Sequence, residues 1–126
     1  MAYHVSKGHF GQLVEAALSE LPEQFARFLE EVPIEIRDRP TPAQLNRAGT
    51  GPRSLLLGLY QGRPRTVRHV EDSGTIPDVI FIFQQSIEAV CDNEQQLIRQ
   101  VRVTVLHEIG HHFGLSEEDL DRLGYR

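Results

Sequence analysis

Near its C-terminus the chain reads His107-Glu108-Ile109-Gly110-His111-His112-Phe113-Gly114-Leu115-Ser116-Glu117, an H-E-x-x-H pattern followed three residues later by glycine. On a helix, residues four apart share a face with Cβ atoms about 5–6 Å apart, so the imidazoles of His107 and His111 can bind one Zn²⁺ at about 2.0–2.1 Å. Glu108 would flank that metal. A carboxylate there can take a proton from a metal-bound water and hand it to the leaving group of a cleaved bond. The five residues alone are weak evidence, since a shuffled chain with 6 His and this glutamate content contains the pattern about three times in a hundred.

The surrounding residues strengthen it. From Asp92 to Phe113 there is no Gly or Pro before Gly110, and Leu97, Val101, Val105 (or Leu106) and Ile109 recur at three- and four-residue spacing. This predicts an amphipathic helix of about six turns. Asp92 is the expected N-cap, with Gln95 three residues on and Glu94 near the positive end of the helix dipole. Gly114 accepts the left-handed conformation that ends a helix, so the chain can fold back under the metal. In an unbroken helix Glu118 would share the histidine face but sit roughly 10 Å beyond His111 along the axis. With the break, Glu117 is the first acid past the turn and the expected third ligand. Glu118, Asp119 or a group from the Glu71 to Asp78 loop are the alternatives. Three protein ligands and an open fourth position would make a catalytic rather than a closed structural site. His112 lies about 100° around the helix from His111 and cannot share the ion.

His107-Glu108-x-x-His111-x-x-Gly114-x-x-Glu117 resembles the extended motif of zincins in which a glycine turn delivers the third ligand. More closely, the chain resembles a family of very small bacterial zincin-like proteins described as minimal metallopeptidases. The likeness covers an N-terminal Phe10-x-x-Leu13-Val14-x-x-Ala17-Leu18 helix, the Leu57-Gly58-Leu59-Tyr60-x-Gly62 turn, the strand Pro77 to Phe83, and the ending from His111 through Leu123-Gly124-Tyr125. It implies a zincin-like α+β fold with one zinc per chain. The family commonly carries Asp where this chain has Glu117.

With 126 residues and 40% hydrophobic content, residues 1–126 are expected to form a single domain that buries about two-thirds of its unfolded surface. A net charge of −5 argues against nucleic acid and anionic membrane as partners. The longest apolar run, Val79 to Phe83, is far too short to span a bilayer, Met1 to Lys7 lacks a signal-peptide pattern, and Cys91 is the only cysteine. A cytoplasmic protein is expected.

Along the chain, Ser6 is read as capping a helix to about Leu21, with Phe10, Leu13, Val14, Ala17, Leu18 and Leu21 on one stripe. Pro22 breaks that helix or opens a short second one carrying Phe25, Phe28 and Leu29. Pro33 to Arg37 alternates as a strand. Asp38 to Arg53 holds three prolines and two glycines and reads as a mobile loop. Leu55 to Tyr60 reads as a short buried segment, Thr66 to Val70 as a strand, and Asp78 to Gln84 as a strand covered on both faces. Ser116, with Asp119 as capping partner, opens a last helix to about Leu123. The irregular order of strands and helices favours α+β, with helices on one side of a small twisted sheet.

Other residues have plain roles by default: Tyr60 in the core, Tyr125 in terminal packing, Cys91 as an inert small hydrophobe, and the arginines at 63, 65 and 68 on a polar strand face. The chain is therefore expected to be a zinc-dependent metallopeptidase-like hydrolase of peptides or proteins, with a strand beside the cleft holding an extended peptide. Two alternatives are a catalytically weak or inactive binding module braced by zinc, and a small zinc endoribonuclease, which position 117 and the acidic charge disfavour.

Overall fold

Val79–Phe83 is apolar at every position, and four of its five residues are buried. Such a strand must be covered on both faces. In the computed structural model it is the central strand, β3, of a three-stranded sheet of order β1-β3-β2. Residues 3–49, 55–62 and 78–122 are described, without the side chains of Glu117 and Leu120. Strand β1 (Ile34–Arg37) runs parallel to β3 with Ile34 opposite Ile80, and β2 (Gly58–Gln61) runs antiparallel with Tyr60 opposite Ile80. Around the sheet lie α1 (Lys7–Leu18), α2 (Glu23–Glu31), α3 (Pro42–Arg47), α4 (Gln84–Ala89), α5 (Glu94–His112) and α6 (Glu117–Arg122). The architecture is α+β, as expected.

The two faces of β3 bury different side chains because successive residues of a strand point to opposite sides. Ile80 and Ile82 join the main core with Leu97, Val101, Val105, Leu106 and Ile109 of α5 and Phe10, Leu13, Val14 and Ala17 of α1. Phe81 and Phe83 pack on the opposite face with Leu59, against Leu56, Val79 and Ala48 just beyond α3. Full burial of a side chain such as Phe10 or Leu97 contributes about 1.5–3 kcal/mol, and these two are wholly buried.

Several boundaries differ from the sequence reading for local reasons. Helix α1 starts as expected, Ser6 Oγ accepting the His9 N–H at 3.1 Å, but ends at Leu18 instead of Leu21. Pro22 opens α2 as its N-cap. The loop expected from Asp38 contains α3, because Thr41 Oγ1 accepts the Gln44 N–H (3.1 Å) and Gln44 Oε1 accepts the Thr41 N–H (2.9 Å), with Pro42 in the first turn. Leu55 is 53% exposed, so burial between Leu55 and Tyr60 is concentrated at Gly58 and Leu59. The unexpected α4 follows β3 directly. The strand expected at 66–70 lies outside the described residues.

The N-terminal residues are tied in by a buried carboxylate. Glu88 Oε2 accepts the Val5 N–H (2.9 Å) and a Gln84 Nε2 hydrogen (3.2 Å), while Gln84 Nε2 also donates to Val5 O (3.0 Å).

Helix α5 begins one residue later than expected. Asn93 is the N-cap: its side chain accepts the Gln96 N–H at 2.9 Å, and Gln96 Oε1 accepts the Asp92 N–H at 2.8 Å. Asn93→Ala is therefore expected to cost about 1 kcal/mol in urea unfolding. Asp92→Ala should cost clearly less, and the reverse order would restore Asp92 as the cap.

Candidate metal centre and general base

The last turns of α5 carry His107, Glu108 and His111 on consecutive turns of one helix. The rings of His107 and His111 have centroids 6.2 Å apart and are tilted by 53°. Two imidazoles sharing a tetrahedral ion at about 2.0–2.1 Å require centroids roughly 5 Å apart. The difference of about 1 Å is within reach of a modest rotation of His111, whose side chain is 57% exposed. The two histidines fit as a pair of zinc ligands.

Glu108 is held from the sheet. In the β2–β3 ladder, Phe83 N–H donates to Leu57 O, so alternate residues from Leu57 onward bond to β3, and the N–H of Tyr60 points away from it. That N–H donates to Glu108 Oε1 at 2.7 Å. The other oxygen, Oε2, lies 3.8 Å from His111 Nδ1. Burial pushes the Glu108 carboxyl above its ordinary value, and the Tyr60 N–H, His111 and His107 partly offset this. One oxygen is thus anchored and the other lies beside His111.

This anchoring needs Gly58. A Cβ there would sit 2.6 Å from Thr104 Cγ2 and 3.1 Å from Phe81 O. Only glycine lets β2 approach α5 closely enough for the Tyr60 N–H to reach Glu108. Sequence reasoning missed both residues in this role. A backbone donor has no residue signature, although glycine within a strand is the usual mark of a close approach. The Tyr60 hydroxyl donates to Asp78 Oδ2 at 2.7 Å, and its ring is half-buried.

The turn after α5 has the expected form. Gly114 has φ +75°, Leu115 N–H donates to Gly110 O (2.7 Å) and Gly114 N–H to His111 O (3.1 Å), which is a Schellman cap. Glu117 is then the first residue of α6. Among the described residues no group of three His, Cys, Asp or Glu gathers at one point. Of the alternatives for third ligand, Asp119 is committed elsewhere. Its Oδ2 accepts the Ser116 N–H (2.9 Å), its own N–H donates to Ser116 Oγ (3.1 Å), and its Oδ1 pairs with Arg122 (3.1 Å). These contacts with Ser116 hold its carboxyl below the usual value. Asp78 meets Tyr60, and residues 71–77 lie outside the described part.

His112 takes no part in the pair and instead stacks on Tyr60, with centroids 4.7 Å apart. Cys91 is buried, and burial followed by the charge of Asp92 raises its thiol, consistent with an inert side chain. Arg63, Arg65, Arg68 and Tyr125 lie outside the described residues.

Residues 29–125 match the family model of zincin-like metallopeptidases, and the chain belongs to that family. No curated protein matches it. No helix among the described residues is long and apolar enough to cross a membrane.

Two measurements test this geometry. Gly58→Ala should destabilise the fold by about 1–3 kcal/mol. Thr104→Ser in the same chain removes Cγ2 and should recover part of the loss. Full tolerance of Gly58→Ala would show that β2 and α5 are not in close approach. Asp119 should titrate below an ordinary aspartate by NMR, and Ser116→Ala should raise its midpoint. Because the folded value is the lower one, this contribution to stability is present above the unfolded value and is lost as pH falls through the folded value.

Proposed function

We propose that the chain is a zinc-dependent hydrolase of peptide bonds, with His107, His111 and Glu117 holding one zinc ion and Glu108 as general base. The observation that carries this reading is the Glu108 carboxylate, anchored through Oε1 and with Oε2 beside His111, one of two imidazoles one helical turn apart. Bound zinc would supply an acidified water, with a pKa of about 7, and polarise a carbonyl. Glu108 would accept the water proton at Oε2 and return it to the leaving amine, while the Tyr60 N–H keeps Oε1 fixed. Burial favours the protonated form of Glu108, which suits a group that must hold a proton between two steps. Gly114 turns the chain so that Glu117 follows at once. The substrate is a peptide or protein, and the compartment the cytoplasm.

A second reading has an observation of its own. The outward-facing Tyr60 N–H, at the edge of the described sheet, already has its acceptor in Glu108 Oε1, so the carboxylate has a structural partner that accounts for its position without catalysis. Glu108 would then be a brace between strand and helix, in a zinc-stabilised module that binds without cutting.

Purified protein should contain about one zinc per chain, lost in His107→Ala or His111→Ala and kept in His112→Ala. Glu117→Ala should weaken zinc, whereas Glu118→Ala and Asp119→Ala should not; the opposite pattern would move the third ligand. Glu108→Gln keeps an oxygen for the Tyr60 N–H but cannot take a proton. It should retain zinc and fold while hydrolysis of a peptide library falls by at least about 10²-fold. Undiminished hydrolysis would remove Glu108 as the base, and absence of hydrolysis in the zinc-loaded wild type would favour the binding module.

A further inference from the structure

Four rings from three elements meet beside the candidate centre. Phe28 of α2 lies 5.3 Å from His112 and 5.1 Å from Phe113, and Tyr60 of β2 stacks on His112 at 4.7 Å with an interplanar angle of 20°. Phe113, the C-cap of α5, is 54% exposed, His112 is exposed, and Phe28 and Tyr60 are half-buried. The patch is continuous with the proposed catalytic group. Tyr60 contributes its N–H to Glu108 and its ring to the patch, and His112 is the residue after His111.

From this we propose that Phe28, Tyr60, His112 and Phe113 form a subsite for a large apolar side chain of a peptide substrate, aromatic by preference; this rests on the hydrolase reading above. Apolar rings left open at a surface mark a binding site when they cluster. Tilted and stacked rings offer both faces and edges, to which a further ring adds at about 4.5–7 Å between centroids. Phe28 and Tyr60 pack against the core, and the Schellman cap fixes the backbone at Phe113, so little freedom is lost when a side chain docks. A substrate residue seated there lies next to the bond that Glu108 would serve.

The test uses end-blocked, fluorescently labelled hexapeptides that differ only in a central Phe, Leu, Ala or Asp. They are titrated into zinc-loaded Glu108→Gln protein and into metal-free wild type, and followed by anisotropy and by aromatic ¹H–¹³C NMR. The Phe peptide should bind at least about tenfold more tightly than the Ala or Asp peptide and shift the ring signals of Phe28 and Phe113. Phe113→Ala should shrink that ratio to within about threefold at unchanged zinc content, and Phe113→Trp should restore it. Equal binding of all four peptides, a preference that survives Phe113→Ala, or ring shifts that follow protein concentration alone, as for a second copy of the chain, would overturn the subsite. Cleavage of the same peptides by wild type separates the two claims. Binding with this preference but no cleavage would sink the hydrolase reading and keep the subsite. Cleavage without apolar preference would do the reverse.

Discussion

Strand β2 can lie against α5 only because position 58 has no side chain. The space that a Cβ would need is taken by Thr104 Cγ2 and by the carbonyl of Phe81, so the strand, the helix and the central strand meet there at backbone range. Everything chemically distinctive about the centre follows from that contact. It brings a main-chain donor to Glu108 and sets the half-buried environment that raises its carboxyl. It also lays the Tyr60 ring over the end of the helix. The two imidazoles require only the helix; the Glu108 carboxylate beside His111 requires the sheet as well.

The helix is in turn held by packing remote from the centre. Leu97, Val101, Val105, Leu106 and Ile109 are wholly buried against α1 and the isoleucines of β3. Rotation of α5 about its axis by one residue, about 100°, would carry this stripe out of the core and turn Glu108 away from the Tyr60 N–H. The hydrophobic pattern thus sets the direction of His107 and His111. The Schellman cap stops the helix within two residues of His112, and α6 begins at Glu117 after a short turn.

The sequence was most readable where one residue type answers one physical need. The periodic stripe of α5, the glycine at 114 with its positive φ, the Ser116–Asp119 capping box and the doubly buried β3 all rest on local chemistry that letters record directly. It was least readable where the determining group is backbone or where two caps compete. Asn93 and Asp92 are both good caps, and only the partner Gln96 decides between them. The prolines around Thr41 pointed to a loop, while the Thr41–Gln44 capping box made a helix. The role of Tyr60 lies in its N–H, which every residue but proline possesses.

The family match begins at residue 29, yet the fold does not. Phe10, Leu13, Val14 and Ala17 of α1 fill the core against α5, and the Val5 N–H satisfies one oxygen of the buried Glu88. A fragment trimmed to the matched segment would bare the inner stripe of α5 to water and strand a carboxylate inside α4. The matched segment is therefore smaller than the packed core, and the first helix, outside that segment, clamps α5 against the sheet.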